Sequence, residues 1–248
     1  MKKNIFLVVA VTLCLFVSCG VTPTIQEPSK EPESTEMQGG PSWGAQNFNK
    51  IYTGADLGDF VSPSLKLDVE IKVPFIENAK DNTSWTLMNE SFELLGQSLL
   101  DKSVEWLGVE GLDPQIPYTV DVDFAIMRDD EEFVSIRYEY YRYFGGAYPV
   151  MSLRGATYNA RKGNPVYLGD FFSVEEDFFV PVLMDEIEKL AQIPLSRQDL
   201  EGYFDFNNFY LKEDVLVIFY QEDQLGPHAI GLPEFEIPFK SLAPIFLL

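Results

Sequence analysis

Two runs of strict alternation, separated by four residues, constrain the fold more than any other feature. Val120, Val122, Phe124 and Ile126 recur at every second position, with Asp121, Asp123 and Arg128 among the outward residues. After Asp129-Asp130-Glu131-Glu132, the same period resumes in Val134, Ile136, Tyr138 and Tyr140. Alternate side chains of a strand point to opposite faces, and so short a link turns the second strand back alongside the first. The pair is an antiparallel hairpin. Its four-acid tip lacks the spaced ligands and glycine of a calcium loop, so it reads as a solvated turn.

Other segments fit around this hairpin. Leu65, Leu67, Val69, Ile71 and Val73 alternate with polar residues up to Pro74, which predicts another half-buried strand. Trp85, Met88, Phe92, Leu95 and Leu99 recur at three- and four-residue steps, the stripe of a helix capped by Thr83 or Ser84. A strand is expected over residues 150–160, a turn at Lys162-Gly163-Asn164, and a short strand at Val166-Tyr167-Leu168. Ser173 and Glu176 have the spacing of a capping box before a second helix, with the stripe Phe179, Leu183, Ile187, Leu190 and a stop at Pro194. The unbroken apolar run 215–220 predicts a central strand covered on both faces, and Phe235, Ile237 and Phe239 a last short one. The order gives an α+β fold, a mainly antiparallel sheet with two principal helices. One helix followed by strands occurs twice, which predicts two closely packed halves, 48–130 and 131–248.

The N-terminus carries an address. Lys2 and Lys3 precede an apolar run over residues 5–17, broken only by Thr12 and Cys14, and Ser18-Cys19-Gly20 follows. The run is too short for a membrane span of about 20 residues and ends where a signal peptidase cuts. Phe16-Val17-Ser18-Cys19 resembles a bacterial lipobox, with Leu15 one place before the usual leucine position. That resemblance implies a signal peptide over 1–19 and lipidation of Cys19. Residues 20–47 are rich in Pro, Ser, Thr, Glu and Gly and are expected to form a flexible tether. The expected location is the outer face of a bacterial membrane, the outer membrane or cell surface, held through the lipid anchor only.

Charge and composition narrow the function. Removing Lys2 and Lys3 from 18 basic residues leaves 16 against 39 acidic ones, a net −23 for the processed chain. Such a chain repels nucleic acid and attracts cationic partners. The two cysteines are Cys14 and Cys19, so the folded part has no disulfide and no thiol nucleophile. His228 is the single histidine, which leaves no His-x-x-x-His zinc set, and no Gly-x-Ser-x-Gly elbow occurs. No cofactor, metal site or catalytic residue is expected.

The run Tyr138-Glu139-Tyr140-Tyr141-Arg142-Tyr143-Phe144-Gly145-Gly146-Ala147-Tyr148-Pro149 resembles the strand and Gly-Gly-Ala-His turn of an extracellular domain family. The family is shared by RsiV-type anti-sigma factors and PdaC-type peptidoglycan deacetylases. Tyr158-Asn159 through Gly163 to Leu168-Gly169-Asp170-Phe171-Phe172, then Asn208-Phe209-Tyr210-Leu211, are similar to its next blocks. Leu225-Gly226-Pro227-His228-Ala229-Ile230-Gly231, leading to Glu236-Ile237-Pro238-Phe239, looks like its last turn and strand. The blocks fall within 134–245, and residues 65–130 resemble the accompanying N-terminal half more weakly. The resemblance implies a non-catalytic binding domain whose ligand is a lysozyme-like basic protein or peptidoglycan. The alternatives are an envelope glycan hydrolase or deacetylase, or a structural envelope protein.

The candidate binding residues are Tyr141, Tyr143, Gly145, Gly146, Tyr148, Pro227 and His228. Alternation assigns Tyr138 and Tyr140 to the apolar face and Tyr141 and Tyr143 to the other, which is expected to pack under the first half's helix. The family pattern has His where Tyr148 stands and Tyr where His228 stands. A Tyr–His exchange is expected where the two side chains touch, because the pair keeps its volume and hydrogen bond. Their contact is expected to be a buried lock between two loops, or else a ligand-facing corner. As a lock, Tyr148→Ala would cost roughly 1–3 kcal/mol.

Overall fold

The computed structural model describes residues 40–248 except 60, 109–111 and 244; Cys19, the signal and most of the expected tether lie outside the described residues. In chain order the elements are β1 (Trp43–Thr53), α1 (Gly54–Leu57), β2 (Lys66–Ile76), α2 (Thr83–Leu107), β3 (Tyr118–Asp129) and β4 (Phe133–Tyr143). They continue with β5 (Val150–Asn159), β6 (Pro165–Val166), α3 (Glu176–Leu190), α4 (Arg197–Gly202), β7 (Phe209–Leu211), β8 (Val215–Phe219), β9 (Glu234–Pro238) and α5 (Phe239–Leu242). The fold is α+β. Six strands form one sheet in the order β1 to β6, and β7, β8 and β9 form a second. Among the described residues only the β2–β3 pair is parallel, because α2 carries the chain back across the sheet between them.

The larger sheet divides its side chains as the alternation predicts. Val69, Ile71, Val120, Val122, Ile136 and Tyr138 lie on one face and are buried beneath α2. From the helix, Trp85, Met88, Phe92 and Leu99 enter the same core. Each such burial contributes roughly 1.5–3 kcal/mol. The cap of α2 is Asn82, one residue before the expected Thr83: its carboxamide oxygen accepts the Trp85 N–H at 3.1 Å and the Ser84 hydroxyl at 2.7 Å. The hairpin tip is held by Asp130, whose Oδ1 accepts the N–H groups of Glu132 and Phe133 at 2.8 and 2.9 Å.

Three expectations are corrected. The stretch 43–47, assigned to the tether, is the start of edge strand β1, paired in register with β2 from Trp43↔Ile76 to Thr53↔Lys66. The Ser173–Glu176 capping box does not form. The helix starts at Glu176, and the Ser173 hydroxyl donates instead to the Ile245 carbonyl at 3.1 Å. The buried stripe of α3 is Phe179, Leu183, Met184 and Ile187, while Leu190 is 41% exposed at the helix end.

The second sheet lies across the face of β4 and β5 opposite α2. As expected, β8 is central and covered on both sides: Leu216 and Ile218 enter the core with α3, and Val217 and Phe219 pack with Leu153 and Tyr210 between the sheets. Polar ties join the layers. The Arg137 guanidinium forks onto Glu234 at 3.0 and 2.9 Å, and the Tyr210 hydroxyl donates to the same carboxylate at 2.6 Å. The Leu211 N–H donates to Ser135 Oγ at 2.9 Å. Among the described residues, no helix is long and apolar enough to cross a membrane.

Candidate functional site

Tyr148 and His228 reach one corner from distant parts of the chain. Past Tyr143, the chain turns at Gly145, whose φ of 83° favours glycine; a Cβ there would also meet Ile116 Cδ1 at 2.8 Å. Gly146 needs no such conformation, and its nearest neighbour would be the Tyr148 carbonyl at 3.5 Å. The other loop is fastened to the free edge of β5. Gln221 accepts the Leu153 N–H and donates to the Leu153 carbonyl, both at 2.9 Å. Glu222 Oε2 accepts the Met151 N–H at 2.8 Å. Asp223 then takes a left-handed conformation with φ 63°, tolerated by aspartate, and Pro227 leads into a 3-10 turn over His228–Ile230.

The rings of Tyr148 and His228 meet with centroids 5.3 Å apart and planes tilted by 34°. His228 Nδ1 lies 3.9 Å from both Glu222 Oε2 and Asp223 Oδ2. The contact is not a buried lock. Tyr148 is 70% exposed, because the Gly-Gly turn carries it beyond the sheet end. With Met151, Glu222, Asp223 and Arg142 the pair lines a cavity of about 500 Å³. Of the seven binding candidates, Tyr148 and His228 line this cavity. Arg142, Gln221 and Glu222 are the additions that the sequence did not single out. They look like ordinary strand and turn residues until β5 is seen to offer a free edge.

Tyr141 and Tyr143 lie elsewhere. They face away from α2, so the expectation that they pack under the first half's helix is overturned: α2 covers the opposite face, that of Tyr140. In register beside them stand Asp121, opposite Tyr141, and Asp123, opposite Glu139; Glu70 pairs with Asp121 on β2. Asp68, Glu70, Asp123 and Glu139 are exposed and both tyrosines half-buried. Burial, followed by the charges of Glu70 and Asp68, raises the pKa of Asp121. The uncovered part of this face is therefore acidic with aromatic rings set into it. Lys72 offsets part of the charge through an exposed pair with Asp123 at 3.1 Å. Among the described residues, no group of three or more His, Cys, Asp or Glu residues is placed to hold a metal ion.

Residues 170–240 match the model of the family DUF3298, described as a protein of unknown function. They run from the turn before α3 into α5. No curated protein matches the chain. A member of the DUF3298 family from Bacteroides fragilis has a similar structure, with a TM-score of 0.59 and 14% identity over 84% of this chain and 94% of that one. A DUF3298 family protein from Pseudomonas aeruginosa PAO1 gives a TM-score of 0.55 and 14% identity over 83% of this chain and 95% of that one. At that identity the likeness is one of fold. In fold over most of its length, and in sequence over residues 170–240, the chain is similar to the DUF3298 proteins, a family of unknown function.

Proposed function

We propose that this chain is a non-catalytic binding lipoprotein of the bacterial envelope, of the RsiV/PdaC type, anchored through Cys19, whose main ligand is a basic protein. The observation that carries this reading is the open sheet face, where Asp68, Glu70, Asp121, Asp123 and Glu139 surround Tyr141 and Tyr143. Tyrosines supply contact area at small entropic cost, and acids around them complement a cationic partner. The net charge, −21 for the whole sequence and −23 without Lys2 and Lys3, extends the same attraction over the whole molecule.

Two variants test the parts of this reading. Cys19→Ala should move the protein from the membrane to the soluble exported fraction, and retention on the membrane would contradict anchoring. Tyr141→Ser with Tyr143→Ser should weaken capture of lysozyme, used as a basic probe, by about tenfold or more, as loss of about 1.4 kcal/mol or more of contact implies. Unchanged capture would exclude this face as the binding surface.

A further inference from the structure

A second surface has the opposite sign. Between α2 and the free edge of β5 runs a groove of about 550 Å³, lined by Lys102, Trp106, Tyr140, Arg142 and Arg154, with Asn207 and Gln221 on the far side. Three cations in one groove run against the composition of a chain with 18 basic and 39 acidic residues. Among the described residues, none of the three has a carboxylate within 4 Å, whereas Arg128, Arg137, Arg161 and Arg197 each do.

The polar atoms along this groove are short of partners. Arg142 is half-buried. Its guanidinium lies 5.0 Å from the centre of the Trp106 ring, and Nη2 reaches Ser152 Oγ at a marginal 3.5 Å. Its Nε is buried with no acceptor. Glu222, whose charge reaches Arg142, has Oε2 engaged by the Met151 N–H. The hydroxyl of Tyr140, a residue only 6% exposed, has no acceptor for its proton, and the Arg154 side chain lies beside it. Buried donors and cations normally find acceptors or counter-charges, and each one left unmade costs about 1–3 kcal/mol. An oxyanion in the groove would accept from Arg142, Arg154 and Tyr140 together, and arginine's planar fork matches carboxylate and phosphate oxygens.

We propose that this groove binds a small acidic sugar, its carboxylate held between Arg142 and Arg154 and its ring against Trp106. The volume suits a sugar-sized ligand rather than a protein segment. The ring of Trp106 offers an apolar face, and the amides of Asn207 and Gln221 supply polar atoms for hydroxyl groups. This site lies on the α2 side of the sheet, away from Tyr141 and Tyr143, so it stands or falls apart from binding of a basic protein.

The test uses the full-length protein in mild detergent, titrated with glucuronate, N-acetylmuramate, glucose and inorganic phosphate, and read by tryptophan fluorescence and calorimetry. At least one of the two carboxylated sugars should bind, with glucose at least tenfold weaker. Arg154→Gln, an exposed change that leaves the core intact, should reduce that binding about tenfold. Tyr140→Phe removes a buried hydroxyl that has no acceptor, so the free protein should be about as stable as before while affinity falls several-fold. Lysozyme capture should be unchanged in both variants. Failure of both carboxylated sugars to bind at millimolar concentration would overturn the proposal. So would phosphate binding as tightly as they do, or affinity indifferent to Arg154→Gln and Tyr140→Phe.

Discussion

Gln221 replaces a strand at a single position. β6 pairs with β5 only at Thr157 and Tyr158, which leaves the backbone of residues 151–155 open on that side. The Gln221 carboxamide satisfies both polar groups of Leu153. Gln221→Leu should therefore cost about 1–3 kcal/mol in denaturant unfolding, because half-buried donors and acceptors are left unmet. Loss below about 0.5 kcal/mol would mean that water takes over this edge. The Tyr148–His228 contact was legible in advance only through the exchange of two residue types relative to a family pattern. Its exposure was not, because it depends on how far the Gly145 turn projects past the sheet. Arg142 and Gln221 gave no signal, since their roles arise only where β5, α2 and the 220–228 loop converge.

At the scale of elements, the close approaches set the arrangement. A Cβ on Gly155 would lie 1.6 Å from the Phe209 carbonyl oxygen, so β7 crosses β5 where no side chain fits. Gly155→Ala should push the two sheets apart and destabilise the fold by about 3 kcal/mol or more, measured by thermal or denaturant unfolding. A loss under 1 kcal/mol would show that the backbone yields there. Gly96 does the same for α2, where a Cβ would meet the Phe48 ring at 2.3 Å. That contact ties down β1, the strand whose first five residues fall in the expected tether. Its residues Asn47, Asn49 and Lys50 are exposed and polar, as suits a sheet edge, and such a segment lacks the apolar period by which strands are read. Where one face is buried, as in β2, β3 and β4, alternation identified the strands. The central run of β8 was legible because both of its faces are apolar.

At the scale of the molecule, charge is sorted rather than spread. Acids and tyrosines occupy the open face beside β2 to β4, while Lys102, Arg142 and Arg154 share the groove beyond α2. Burial, and after it the neighbouring charges of Glu70 and Asp68, put a cost on Asp121, whose raised pKa means that the folded state holds its proton more tightly than the unfolded chain. Its penalty is absent at low pH and develops as pH rises through and above the ordinary carboxylate value of 3.8. Asp121→Asn should accordingly stabilise the protein at pH 7, and the gain should vanish below about pH 3. A gain independent of pH would assign the effect to packing. The proposed role of this acidic face is to draw in a basic protein. The most direct measurement of that claim is the association rate of lysozyme with the full-length protein as salt is raised. The rate should fall at least about tenfold between 0.01 M and 0.15 M salt, as the screening length drops from about 30 to about 8 Å. Asp68→Asn with Glu70→Gln should flatten that dependence. A salt-independent rate, or no association at tens of micromolar, would contradict the account.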